Sequence, residues 1–214
     1  MARILVACEF SGIVRDAFAA RGHDAWSCDI IPTESPGKHY EGRVQDIIPS
    51  WYVPLNPIRK TRSAPKWDLM IAHPPCTYLS VSGSRWLYNK DGSKNEERWE
   101  KREEALDFVR FLMDAPIERI CVENPVSVIA SQIRKSDQLI HPWEHGHPEE
   151  KRTCLWLKNL PKLEPTDIVY DEMMELPKKE RHRIWWMGSS KSKERSIFYP
   201  GIADAMAEQW GRLL

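Results

Sequence analysis

The stretch RILVACEFSGIVRDAFAARGHDAWSCDII, residues 3–31, decides the fold class. Residues 3–8 form a short aliphatic run, the pattern of a strand buried on both faces of a parallel sheet. Ser11 is placed to cap a helix in which Val14, Ala17 and Phe18 share one face, and Gly22 is placed to end it. Residues 24–31 read as a second strand that ends near Asp29. A strand, a helix and a strand in this one stretch require parallel pairing through a right-handed crossover.

The same alternation continues outward. Residues 68–72 are a third aliphatic strand, running into His73-Pro74-Pro75-Cys76, which must leave the sheet because two prolines cannot continue a ladder. Residues 96–115 carry a helical stripe of Trp99, Leu106, Val109 and Met113, stopped by Pro116. Residues 118–123 are a strand, after which Asn124-Pro125 is predicted to open a helix through Ile133. Residues 153–157 and 184–187 read as further strands, and residues 200–214 as a closing amphipathic helix with Ile202, Ala203, Met206 and Trp210 inward. Residues 32–66, with six prolines, read mostly as loop with a short strand near Val44. The sum is an α/β protein with a Rossmann-like, mainly parallel sheet, one domain over residues 1–214. Ligands of such sheets bind beyond the carboxyl ends of the strands. That rule draws residues 9–12, Asp29, residues 74–76 and residues 123–125 to one edge.

Composition narrows the function classes. Lys and Arg number 31 against 31 Asp and Glu, so bulk charge gives no pull towards nucleic acid or membrane. No apolar run is long enough to span a bilayer, and the first residues lack the basic and apolar regions of a signal peptide. The five cysteines are scattered, without a Cys-x-x-Cys pair, which suits reduced thiols in a cytoplasmic protein. His141, His145 and His147, with Cys154, match no usual zinc spacing, so no metal is expected.

Four short motifs carry the chemistry. In Cys8-Glu9-Phe10-Ser11-Gly12, Gly12 lets backbone approach a ligand beside a helix N-terminus; an ordinary strand-to-helix turn has the same form. Asp29, followed by Ile30, ends a strand where a carboxylate can accept hydrogen bonds from ribose hydroxyls. Asp46 is placed to meet an adenine amino group. Pro74-Pro75-Cys76 puts a thiol on a stiffened loop at a strand end, where a core role suits it poorly, although buried structural cysteines are common. Glu123-Asn124-Pro125 supplies an acid on the next strand, where a helix N-terminus would also favour one.

Together these motifs resemble the cytosine carbon-5 DNA methyltransferases. Residues 10–14 are similar to the family's Phe-x-Gly-x-Gly cofactor turn, with Val14 at the second glycine. Pro75-Cys76 resembles its nucleophile loop, with Thr77 where Gln is usual, and Glu123-Asn124 its Glu-Asn-Val motif. The closing helix has Gly201-Ile202 where the family has Gly-Asn. The resemblance implies S-adenosylmethionine as cofactor, held by Glu9, Phe10, Ser11, Gly12, Asp29, Ile30, Asp46, Pro74 and Pro75. It implies Cys76 as nucleophile at cytosine carbon 6, with Glu123, Asn124 and Arg152 completing the catalytic group. DNA is the implied substrate, with its target base flipped out if duplex. Residues 163–200 leave room only for a reduced insert in place of a target-recognition domain, as in a compact phage-type member. Free pyrimidine nucleotides or RNA, and a non-catalytic cofactor- or DNA-binding role, are the alternatives. Residues 178–195, opening on Lys178 and closing on Arg195, hold seven Lys or Arg against two Glu, with Trp185 and Trp186 inside. That mixture suits phosphate contact with base stacking, and equally a solvated loop with one Trp in the core.

Overall fold

Ile4, Leu5, Val6 and Ala7 have no exposed surface, and a strand buried on both faces must have neighbours on both edges. In the computed structural model, which describes residues 1–48, 66–187 and 191–214, strand β1 (Arg3–Ala7) is flanked by β2 (Asp24–Asp29) and, on its other edge, by β4 (Leu69–Ala72). With β3 (His39–Glu41), β5 (Arg119–Pro125), β6 (Gln138–Ile140) and β7 (Thr153–Lys158) the sheet order is β3-β2-β1-β4-β5-β7-β6. The first five strands are parallel; β7 runs against both β5 and β6. The chain is therefore α/β with a Rossmann-like, mainly parallel sheet. The chain order reverses at β1 and β4, which makes their carboxyl ends the switch point where a crevice opens.

The helices are α1 (Ile13–Ala20), α2 (Glu96–Met113), α3 (Ile129–Gln132), α4 (Tyr170–Glu175), α5 (Lys178–Arg181), α6 (Arg183–Trp186), α7 (Ser192–Ser196) and α8 (Pro200–Gly211). One sheet face packs Val14 and Phe18 of α1 with Ile202, Met206 and Trp210 of α8. The other packs Leu106, Val109 and Leu112 of α2 with Trp156 of β7. Each indole buried here keeps its polar atom satisfied: Trp210 Nε1 donates to the Pro161 carbonyl at 3.1 Å and Trp156 Nε1 to that of Arg134 at 2.8 Å. Truncating either to alanine costs about 3–5 kcal/mol.

The structure corrects several sequence expectations. Residues 44–46 form a 3-10 turn, and the strand pairing with β2 lies earlier, at β3. The loop reading of residues 49–65 lies outside the described residues. Asn124 and Pro125 do not open a helix; they prolong β5, opposite Cys154 and Thr153 of β7. An antiparallel neighbour extends the ladder past the point where a parallel sheet would release the chain, and Pro125 sits at its last position, where a missing N–H is tolerated. Residues 184–187 are not a strand; Met187 N–H bonds to the Arg183 carbonyl at 3.2 Å, closing one helical turn. In α2 the buried side is Arg102, Leu106, Val109 and Leu112, with Trp99 and Met113 at its border.

Candidate active-site crevice

The turn after β1 is built by its own side chains. Cys8 (φ 60°) and Gly12 (φ 78°) adopt left-handed backbone, which for Gly12 carries no Cβ penalty. The buried Glu9 turns its carboxylate onto the start of α1, where Oε1 accepts from Val14 N–H at 2.7 Å and Oε2 from Arg15 N–H at 3.2 Å. Burial raises the Glu9 carboxyl above its ordinary value against His73 and these two amides, which favour the charge. Arg15, almost fully buried, bonds Ser27 Oγ and the carbonyls of Ser35 and Pro36, fastening residues 33–37 over the turn. Its guanidinium lies behind Gly12, where a Cβ would stand 2.4 Å from it. Val14, at the place of the second glycine, is fully buried in the core.

The ends of β4 and β5 differ. Strand alternation puts His73 on the same face as Ile71, and Glu123 on the same face as Cys121. The two meet there: His73 Nδ1 donates to Glu123 Oε2 at 3.0 Å. A carboxylate only accepts, so this bond fixes the proton on Nδ1. Burial pushes the Glu123 carboxyl up, but the hydrogen bond and charge of His73, with Lys151 behind, outweigh it and hold the acid below its ordinary value. The His73 ring also packs on Phe198, centroids 4.7 Å apart. Asn124 points to the opposite face, where its Nδ2 donates to the Pro74 carbonyl at 2.8 Å and ties the loop of residues 74–76 to β5. Pro74 is buried, Pro75 and Cys76 are exposed, and the Cys76 carbonyl accepts from Leu79 and Ser80 N–H, turning the chain at the cysteine. Desolvation of its sulfur, then the charge of Glu123, raise the Cys76 thiol, while Lys151 and Arg195 pull it down. His73 Nε2 and Asn124 Oδ1 are buried without a hydrogen-bond partner among the described residues.

The remaining expected residues are distributed along the same edge. Phe10 is buried, with Lys193 Nζ 5.1 Å over its ring; Ser11 lies against Glu9. Asp29 ends β2, its carboxyl raised by burial, with Oδ1 accepting from Ile31 N–H at 3.3 Å. Ile30 beside it is 72% exposed. Asp46 is exposed and lies 3.5 Å from Arg43. Arg152 is exposed and acts on His141 and Cys154; the cation that Cys76 and Glu123 feel from that segment is Lys151. Gly201 lets α8 approach β7's loop closely, since a Cβ there would stand 1.9 Å from the His145 carbonyl oxygen. His147 Nε2 accepts the Gly201 N–H at 2.9 Å and His145 Nδ1 meets Thr166 Oγ1 at 3.0 Å. Trp185 and Trp186 are both exposed, 75% and 58%, so neither joins the core.

His73, Lys151, Phe198 and Arg195 are the surroundings of Cys76 and Glu123 that sequence reasoning missed. His73 had a legible signal: it stands two residues after Ile71, as Glu123 stands two after Cys121, so strand alternation places both on one face. Lys151, Phe198 and Arg195 arrive from segments without periodicity.

No family model matches the chain, and no curated protein sequence does. Among solved structures it is similar to one described as a candidate DNA modification methyltransferase encoded within a prophage (E. coli), at 16% identity and a TM-score of 0.47, over 83% of this chain and 56% of that one. The chain thus spans little more than half the length of that neighbour.

Proposed function

We propose that the chain is an S-adenosylmethionine-dependent methyltransferase acting on carbon 5 of cytosine in DNA. The observation that supports this reading most is an exposed thiol, Cys76, on the loop that leaves β4, beside a buried acid, Glu123, on the adjacent strand β5, the loop being tied to β5 by the Asn124–Pro74 hydrogen bond. In this reading the Cys76 thiolate adds to ring carbon 6, forming the carbon–sulfur bond, while Glu123 meets ring nitrogen 3 and accommodates the charge driven into the ring. Glu123 rests as a carboxylate, so the proton that nitrogen 3 takes up comes from water by way of it, and the His73 Nδ1–H···Oε2 bond holds the carboxylate in place. Carbon 5, now nucleophilic, takes the methyl group; loss of the carbon 5 proton to a base then expels the thiolate and restores the ring. Asn124 acts on the reaction by holding the loop through Pro74. Lys151, rather than Arg152, favours the thiolate.

The residues present fit the cofactor. Asp29 offers a half-buried carboxylate at the end of β2, one oxygen of which already holds Ile31 N–H. Ile30 offers an exposed aliphatic surface beside it, and Gly12 a turn without a Cβ. When bound, S-adenosylmethionine supplies an electrophilic methyl group on a sulfonium. Phe10, Ser11, Gly12, Asp29, Ile30, Asp46, Pro74 and Pro75 are the residues that would hold it, Asp29 by accepting hydrogen bonds from ribose hydroxyls. Glu9 contributes by shaping the turn, since both its oxygens are engaged on α1. Residues 163–200 stand in place of a recognition domain. No helix among the described residues is long and apolar enough to cross a membrane.

The test is transfer of a labelled methyl group to duplex DNA, single-stranded DNA, RNA and dCMP, followed by digestion and identification of the methylated base. The expected product is 5-methylcytosine from DNA, lost in Cys76→Ala. Transfer to dCMP or RNA alone, or transfer independent of Cys76, would overturn the assignment.

A further inference from the structure

We infer that residues 78–98, the segment directly beyond the nucleophile loop, form a stacking and phosphate-binding surface for single-stranded DNA. The inference rests on reading the crevice as a DNA-modifying site and names the form of DNA it receives.

The segment is fastened to the loop that bears Cys76. Residues Val81–Leu87 form a 3-10 turn, in which Gly83 lies beside the Thr77 carbonyl and the Arg98 guanidinium. Val128 N–H bonds the Leu79 carbonyl at 2.9 Å, and Ser80 bridges Ser127, which binds the segment to the chain leaving β5. On this support stand two large rings facing solvent, Trp86 at 54% and Tyr88 at 50% exposure. They line an open cleft of about 520 Å³ with Asn89, Lys90, Asn95 and Arg98. Tyr88 is braced edge-on against Trp99, whose Nε1 donates to the Leu87 carbonyl at 3.1 Å.

The cations around these rings are available. The Arg85 guanidinium lies 4.6 Å over Trp86, and that of Arg98 5.2 Å over Tyr78. Neither these two nor Lys90 and Lys94 has a carboxylate partner among the described residues; the nearest ion pair along α2 is Lys101 with Glu104. Of the three acids in the segment, Asp91 is engaged by Ser93 N–H and Oγ, and Glu96 and Glu97 stand exposed in the first turn of α2. The basic stretch of residues 178–195 is partly neutralised. There Arg183 pairs with Glu149, Lys191 with Glu194, Lys193 with Glu34 and His182 with Glu150, while Lys178, Lys179, Arg181 and Arg195 have no carboxylate partner among the described residues. Unpaired cations interleaved with exposed rings recognise a chain of phosphates with free base faces. In a duplex those faces are stacked on each other, so the rings have nothing to cover. A single strand offers both groups at once.

The test is anisotropy of a fluorescein-labelled strand with the full, cofactor-free protein, against the duplex and the RNA of the same sequence, with heparin as a polyanion lacking bases. The single DNA strand is expected to bind about tenfold tighter than the duplex, and the double variant Trp86→Ala, Tyr88→Ala to lose about tenfold or more on the strand. Heparin should compete about equally with both proteins, and Trp86→Phe should restore most of the binding. Arg85→Ala with Arg98→Ala should lower the salt slope by roughly 0.7 for each phosphate that is no longer neutralised. Equal affinity for strand and duplex, tighter binding of RNA, or wild-type affinity in a double variant with a native melt would overturn the inference. Strand binding without any Cys76-dependent methyl transfer would leave this surface and remove the methyltransferase reading. Methyl transfer to duplex DNA at equal rates in wild type and double variant would do the reverse.

Discussion

At the end of β1 the chain satisfies its own polar groups; at the ends of β4 and β5 it leaves them waiting. Glu9 occupies the first amides of α1 and Arg15 fills the space behind Gly12, so that turn is complete without any visitor. On the next two strands, His73 Nε2 and Asn124 Oδ1 are buried and unpartnered among the described residues, beside an exposed thiol and an ionised acid. Unsatisfied buried polar atoms are costly, and a fold keeps them where something else completes the set. In the proposed reading the two regions do separate work: the first is scaffold that shapes the turn beside the cofactor, the second carries the reaction.

Substitutions should sharpen that contrast, in descending order. Cys76→Ser should reduce methyl transfer at least about a thousandfold with an unchanged melting curve, because a hydroxyl does not replace the thiolate. Glu123→Gln should cost about a hundredfold or more in kcat, measured in single turnover, by removing the charge partner of ring nitrogen 3. His73→Ala should cost stability as well as rate, about 3 kcal/mol by denaturant unfolding, since it strands a buried carboxylate. Glu9→Ala should act mainly on stability, about 1–2 kcal/mol, the loss of an N-terminal cap; a larger effect on rate than on stability would break the comparison.

Two pH effects follow from the same geometry. The folded Glu123 carboxyl lies below its unfolded value, so its contribution is fully present above about pH 4.3 and is lost as pH falls through the folded value. His73→Ala should flatten that acid limb of the stability profile. Burial and Glu123 raise the Cys76 thiol, so its carboxymethylation rate should climb through the neutral range towards alkaline pH, and Lys151→Met should move the climb higher still.

Much of the fold was legible because β1, α1 and β2 declare themselves by period alone. The exposed position of Cys76 was legible because two prolines at a strand end leave a cysteine nowhere to pack. What escaped has physical causes. The antiparallel β7 holds Asn124 and Pro125 in the sheet, a long-range pairing that no local pattern encodes. The 3-residue β6 is too short to show alternation. The alternative that placed one of Trp185 and Trp186 in the core fails, because both stand exposed on a single helical turn. The residues around Cys76 that were missed, Lys151 and Arg195, come from far along the chain, and charge in a run says nothing of what it faces.

Sulfur and carboxyl must meet across one pyrimidine, and covalent trapping tests that most directly. Protein, S-adenosylmethionine and a strand containing 5-fluorocytosine are incubated, and the adduct is digested and mapped by mass spectrometry, because fluorine at carbon 5 blocks the last proton loss. A stable adduct on the peptide that bears Cys76, weakened in Glu123→Gln and missing in Cys76→Ala, is the expected result. An adduct on another residue, equal trapping by Cys76→Ala, or no adduct from protein that has bound both cofactor and strand would contradict it.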